Sequence, residues 1–198
     1  RGASVTAPAV SANFDAMIKD GIARIRAEGA ADPTRCMPWL DAGMQKVFKN
    51  MELPQPAQGS ISLEWPLAES AKLRGSGKLR LGKAAMRGSW VDSASSDLMI
   101  ADRAVTYNQL EVRVGNQTGT GTFVYDFGKK QVRLENIRST LDPVSILLWV
   151  DEGIANNVRP YQFVGAPSIQ AGGVVDMAVP EKTNLDFEVN APDGMRYE

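Results

Sequence analysis

Three kinds of residue in this chain have the types and spacing for chemistry: close-set carboxylates, a lone thiol and clustered glycines. Asp97, Asp102 and Glu111 lie near one another in the chain, and paired carboxylates are what a glycan hydrolase uses as acid and base. Turn positions and the wet faces of alternating segments explain them better, since most Asp and Glu are solvated. Histidine is absent and Cys36 is the only cysteine. That removes Ser-His-Asp and Cys-His catalysis, zinc sites built on histidine or several cysteines, and any disulfide within the chain. Cys36 stands in an apolar helical stretch and reads as a small core residue, not a nucleophile. Gly75-Ser-Gly77 lacks the third glycine and the strand-to-helix setting of a dinucleotide fingerprint, so it reads as part of a strand. Asn116-Gln-Thr118 fits the N-glycosylation triplet, which matters only in a suitable host. Trp39, Trp65, Trp90 and Trp149 could stack sugar rings or bases, although Trp39 and Trp149 fit core anchoring better. The expectation is a non-enzymatic chain with no catalytic residue, cofactor or metal site.

The elements that must position these residues belong to a globular chain. Hydrophobic residues make up 43% of its 198 positions and the net charge is −1, with no long block of like charge. A phosphate-tracking surface is absent, which argues against nucleic acid as a partner. No apolar run reaches the roughly 18 residues that a membrane-spanning helix needs. The first residue is Arg1, without a cationic and apolar leader, so the chain reads as part of something longer or processed.

Two helices are expected first. Ser11 is a candidate N-cap, and Phe14, Met17, Ile18, Ile22 and Ile25 share one face at helical spacing, with Gly29 as the stop. Asp32 then caps a second helix, Pro33 occupies its first position, and Met37, Leu40, Met44, Val47, Phe48 and Met51 form its apolar stripe. From 59 to 140 the period changes to two. Ile61, Leu63 and Trp65, then Leu79 and Leu81, then Leu110, Val112 and Val114, then Val132 and Leu134 alternate with polar residues. That pattern predicts antiparallel strands with one wet face, joined by short connections in a meander. Glycines within Thr118–Thr122 mark a bend or a close backbone approach. A helix returns at Asp142 with Ile146, Leu147, Val150, Ile154 and Val158 apolar. Strands follow at 168–179 and 184–190, and the tail from Ala191 is expected to fray.

An internal repeat organises these segments. Asp32-Pro33 with Trp39, Asp41 and Gly43 recurs as Asp142-Pro143 with Trp149, Asp151 and Gly153, an offset of 110 positions. In this pattern Asp caps, Pro starts, Trp anchors and Gly relieves crowding. Both copies run through a proline (Pro56, Pro167) into a β-run. A spacing this long exceeds that of ordinary solenoid coils and suits a module of one helical element plus several strands. The expected organisation is a helical segment over 1–56, an antiparallel β-module over 57–140, and a linking helix with the first strands of a next module over 141–198. The fold class is α+β: a curved, mostly antiparallel sheet forming a partial groove, with two or three amphipathic helices packed on it or linking modules.

Laid out this way, roughly residues 32 to 190 resemble the AsmA-like superfamily of bacterial envelope proteins, which includes the TamB-like proteins. The resemblance is carried by the run Gly119-Thr-Gly121-Thr-Phe-Val-Tyr125-Asp126-Phe127, by Val132-Arg-Leu134-Glu-Asn136, and by the linking helix with its Asp-Pro start. It implies an apolar β-groove that carries lipid acyl chains between membranes or serves outer-membrane assembly. It also implies a periplasmic location, tethered to the inner membrane through parts not in this chain, with other envelope proteins as further partners. No catalytic residue is carried over. The candidate groove or core face is Ile61, Leu63, Trp65, Leu79, Leu81, Leu110, Val112, Val114, Val132 and Leu134. Two other functions fit the residues: a structural or adhesive protein-interaction module, and a carboxylate-dependent glycan hydrolase.

Overall fold

A computed structural model describes residues 2–7, 10–32, 34–35, 45, 48–69, 72–150 and 152–198. The chain opens on strands β1 (Gly2–Ala7), β2 (Val10–Lys19) and β3 (Ile22–Ala31). The helix expected over 11–29 is therefore a β-hairpin. Asp20 and Gly21 both take positive φ, 50° and 72°, the backbone of a two-residue turn that Asp-Gly favours. Helical spacing picked out Phe14, Met17, Ile18, Ile22 and Ile25 but passed over the alanines. With those included, Ala12, Phe14, Ala16 and Ile18 alternate up to the turn, and Ala23, Ile25 and Ala27 alternate after it. Two strands with clean apolar faces outcompete one helix with an interrupted stripe. Gly29 does not stop a helix but lies within β3, opposite Ala12 and Gly59.

The second expected helix, with Cys36, Trp39 and most of its apolar stripe, falls largely outside the described residues. At its edges Asp32 is buried, and its carboxylate accepts from the Thr34 amide at 3.0 Å and hydroxyl at 2.6 Å. Gln45 and Phe48 are helical. Next come β4 (Met51–Glu52), β5 (Ala57–Pro66) and β6 (Arg74–Leu81), the short β7 (Ala84–Met86) and β8 (Ser89–Val91), then β9 (Ser93–Ala101), β10 (Ala104–Val114), β11 (Gln117–Asp126) and β12 (Gln131–Ser139). Helices α1 (Pro143–Val150) and α2 (Glu152–Val158) follow, then β13 (Tyr161–Phe163), β14 (Ser168–Asp176), β15 (Asn184–Asn190) and β16 (Met195–Tyr197). The expected start of the later helix holds: Asp142 accepts from the Ser145 amide at 2.9 Å and hydroxyl at 2.7 Å, and Pro143 is the first helical residue, where its missing amide costs nothing.

Eleven strands form one antiparallel sheet in the order β1-β2-β3-β5-β6-β9-β10-β11-β12-β14-β15, while β4-β7-β8 and β13-β16 make two small sheets beside it. The α+β class and the meander stand, with the helices a minor part. The sheet passes without interruption through all three expected segments. The tail beyond Ala191 does not simply fray, because Met195–Tyr197 pairs with Tyr161–Phe163. That partner lies more than thirty residues back, so no local pattern announces it.

The 110-residue spacing organises more than the helix starts. Advanced by that offset, β4 falls on β13, β5 on β14, β6 on β15 and β7 on β16, within one or two residues. The pairings agree as well. Met51 lies opposite Met86 in the first small sheet, and Tyr161 lies opposite Tyr197 in the second. Both excursions leave the sheet from one strand and return to its immediate neighbour, β3 to β5 and β12 to β14.

Candidate functional site

Sheet register decides which side chains share a face, because directly opposed residues point the same way. One row crosses ten strands: Phe14, Ala27, Ile61, Gly77, Leu98, Tyr107, Phe123, Leu134, Gly173 and Leu185. Every member is apolar, glycine or tyrosine. A parallel row runs through Ala16, Ile25, Leu63, Gly75, Ile100, Val105, Tyr125, Val132 and Val175. All ten residues of the candidate face fall on this side. Ile61, Leu63 and Trp65 share it on β5, Leu79 and Leu81 on β6, Leu110, Val112 and Val114 on β10, and Val132 and Leu134 on β12.

The glycines show how this face is shaped. A Cβ on Gly77 would lie 2.2 Å from the Ser60 carbonyl oxygen and 3.1 Å from Ile61 Cα; on Gly75 it would lie 2.8 Å from the Ser62 oxygen, and on Gly59 2.7 Å from the Lys78 oxygen. Neighbouring strands therefore approach closely at these positions on the apolar side, which leave no room for a side chain. A crease adds a bend. The register shifts between Tyr107 and Leu110, between Thr120 and Thr122, and between Leu134 and Ile137, and Gln109 and Asn136 take positive φ at those bulges. Bulges on adjacent strands increase local twist and bend the sheet. The sequence pointed to Gly121 as a place of close approach, and its Cβ would meet Ile137 Cα at 3.0 Å.

This hollow is not sealed. No large side chain among the described residues is fully buried. Phe14, Ile61, Leu63, Leu79, Leu81, Leu98, Leu110, Val112, Val114, Phe123 and Leu134 all stay partly exposed, Trp65 is 39% exposed, and Val132 is buried. An open trough of about 970 Å³ crosses β2, β3, β5, β6 and β9, where the central apolar row is flanked by two polar rows that include Asp15, Arg26, Glu28, Lys78 and Asp97. Helix α1 makes its hydrogen bonds to the small sheet. Trp149 does anchor α1, but to the small sheet: its indole N–H donates to the Ser89 carbonyl at 3.1 Å. The Ser89 hydroxyl donates to the Ser145 carbonyl at 2.8 Å, and Arg87 donates to the Leu148 carbonyl. Ala84, Ala85, Met86 and Val91 of this small sheet are buried.

The outer face has the opposite character. Arg24 pairs with Glu64 at 3.0 Å, Arg133 with Glu135 at 2.5 Å and Lys78 with Asp97 at 3.9 Å. Exposed pairs like these add little stability, but they keep that face wet. The three carboxylates divide: Asp97 and Glu111 lie on the outer face of the paired strands β9 and β10, with Glu111 opposite Ser95, two residues from Asp97, and Asp102 in the turn between them. Asp97 faces Lys78, Glu111 pairs with Arg113 at 2.5 Å, and Asp102 lies exposed in the β9–β10 turn at φ 50°. Among the described residues no group of three His, Cys, Asp or Glu could hold a metal ion. Trp90 is exposed on the small sheet with the Lys83 ammonium 5.1 Å from its ring centre. Asn116 lies exposed in the β10–β11 turn.

Within the hollow, burial pushes the Tyr107 phenol above its ordinary value. Its ring meets Phe123 edge to face at 5.8 Å. The two central rows hold apolar residues, glycines and the tyrosines Tyr107 and Tyr125. Among the described residues no helix is long and apolar enough to cross a membrane. No protein-family model matches the chain, and neither a curated protein nor a solved structure does so.

Proposed function

We propose that this chain is a non-enzymatic module of an AsmA-like envelope protein whose concave sheet face holds lipid acyl chains, for transport between membranes or for outer-membrane assembly. One observation carries the reading: an unbroken apolar row spans ten strands of a bent sheet and stays partly exposed along its length. Apolar surface in water is costly, about 25 cal/mol for each Å², and a contiguous exposed stretch marks a binding surface. An acyl chain suits it, because such a chain asks for length and greasiness and for no hydrogen-bonding groups. The repeat supports the reading in a second way. Units that continue one sheet also continue its hollow, which a conduit requires and a closed pocket does not. In this reading the module works in the periplasm, tethered to the inner membrane by parts outside this chain.

The test is direct. Protein purified from a bacterial host is extracted with organic solvent, and the extract is analysed by mass spectrometry. Phospholipid or fatty acid at a defined stoichiometry is expected. Ile61→Asp with Leu98→Asp, which places charge in the central row, is expected to abolish it while a circular dichroism spectrum verifies the fold. Wild-type protein free of lipid, and unable to take up a fluorescent fatty acid saturably, would overturn the proposal.

A further inference from the structure

We infer that a recess on the outer face, where β11, β12 and β14 lie side by side, binds a phosphate group. It encloses about 370 Å³ and is lined in part by Thr118, Thr120, Arg138, Thr140, Ser168 and Gln170, a size typical of small-ligand sites. Register brings these side chains together. Arg138 on β12 lies opposite Thr120 on β11 and opposite Gln170 on β14. Thr120 in turn lies opposite Glu111, so the row belongs to the polar side of the sheet. The recess sits at the strand ends, where the Thr118 amide donates to the Thr140 hydroxyl at 3.0 Å and the chain re-enters the sheet at Ser168. All six residues are exposed, so a ligand enters without rearrangement.

Charge and donor chemistry select the ligand. On the same face Arg24, Arg113 and Arg133 pair with Glu64, Glu111 and Glu135. Arg138 differs: its cross-strand neighbours are uncharged, and among the described residues its guanidinium has no ion pair or hydrogen bond. No carboxylate lines the recess. What it offers is one positive charge flanked by neutral donors, the hydroxyls of Thr120 and Ser168 and the amide of Gln170. A guanidinium fork takes an oxyanion through two parallel hydrogen bonds. A carboxylate spends both its oxygens on that fork, whereas a tetrahedral phosphate has oxygens left for donors on either side. Here donors stand on both sides, Thr120 on β11 and Ser168 and Gln170 on β14.

The repeat shows that the sheet does not need these residues for its own sake. Moved back by 110 positions, Arg138 falls on Glu28, Gln170 on Ser60 and Thr140 on Ala30. The register is the same, since Glu28 lies opposite Ser60 as Arg138 lies opposite Gln170. A carboxylate and a methyl group thus serve the fold in the first unit where the second carries a cation and a hydroxyl.

Inorganic phosphate is titrated calorimetrically into the intact chain, with chloride keeping the ionic strength constant. Saturable binding is expected, and Arg138→Gln is expected to weaken it about tenfold. Arg138→Glu, which installs the residue of the first unit, is expected to abolish it while the circular dichroism spectrum stays that of the wild type. Acetate is expected to bind more weakly than phosphate. Phosphatidylcholine vesicles with and without phosphatidic acid then distinguish the source in a sedimentation assay. Capture that requires both phosphatidic acid and Arg138 makes the phosphate that of a lipid headgroup; saturation by inorganic phosphate without capture makes it a soluble one. Failure of both probes, wild-type affinity in Arg138→Gln, or acetate binding as tightly as phosphate would each overturn the inference. Every readout is referred to Arg138, on the face opposite the apolar rows, so its failure is separable from that of the acyl-chain reading.

Discussion

Replacing Gly77 with alanine adds one methyl group at the centre of the hollow and tests whether its curvature is built from missing side chains. The new Cβ would lie 2.2 Å from the Ser60 carbonyl oxygen, and real Cβ atoms essentially never come within 3.0 Å of such a neighbour. Strands β5 and β6 must therefore separate locally by about 0.8 Å, the difference between those two distances. Each is held on its far side, β5 by β3 and β6 by β9, so the shift cannot be absorbed by swinging a free edge. Overpacking of this kind costs about 1–3 kcal/mol, and the relief of glycine's backbone entropy returns about 0.5–1 kcal/mol. A net loss of about 1–2 kcal/mol lowers the melting temperature by about 2–8 °C for a chain of this size. Gly82→Ala is the control, because the nearest atom to its Cβ is the end of the Gln55 side chain at 3.5 Å. Thermal melts followed by far-ultraviolet circular dichroism compare the two variants. If Gly77→Ala melts together with Gly82→Ala, or above the wild type, the glycines do not set the bend.

Gly121→Val is expected to lose about 1–3 kcal/mol, because its Cβ would meet Ile137 Cδ1 at 2.4 Å and Ile137 Cα at 3.0 Å; an unchanged melting temperature would refute the close approach of β11 and β12. Trp149→Phe keeps an aromatic ring but removes the donor to the Ser89 carbonyl together with part of the indole's volume, with an expected loss of about 1–3 kcal/mol and faster amide exchange in α1; a urea midpoint equal to wild type would show that neither seats the helix. The Asp176 carboxyl is held below its ordinary range, first by the Gln131 side-chain amide and then by the Val179 amide. Its stabilising effect is therefore fully present above the unfolded value, about 3.9, and is lost as pH falls through the folded one. Melting temperatures measured on an acid series should fall more steeply for the wild type than for Asp176→Asn, and parallel curves would contradict the linkage.

Much of this architecture is legible in the residues. Alternation from Ile61 to Leu134 places the central strands, and Asp142-Pro143 places the start of α1. The offset linking Trp39 to Trp149 carries across the neighbouring strands. The hairpin at 10–31 is where local pattern misleads. Five large residues there satisfy a helical period, and the alanines that complete the β-alternation are too small to weigh on a hydrophobicity count. Asp20-Gly21 was the available signal, since an Asp-Gly pair between two alternating runs is a turn before it is anything else. Long-range features leave no such trace. The bond between β13 and β16 and the seat of Trp149 on Ser89 each join segments more than thirty residues apart. The shared face of Ile61, Leu79, Leu110 and Leu134 depends on bulges that restore phase between strands, which periodicity within one strand cannot reveal. The three carboxylates divide in a way their spacing does not announce: Asp102 goes to a turn, while Asp97 and Glu111 lie on the outer face of paired strands, each beside a cation.

Sheet order has a further consequence for how the molecule comes to exist. Each strand of the large sheet is bonded to the sheet strand that precedes it in the chain and to the one that follows. Within the large sheet no strand waits for a distant late one, which keeps its strand pairings low in contact order, although the small sheet at Ser89 waits for Trp149. The two excursions lengthen the closing loops, but the entropic penalty grows only with the logarithm of loop length. Ribbons built in this manner can lay themselves down from one end as the polypeptide emerges. Their length can also change by one hairpin at a time, without disturbing what has already formed.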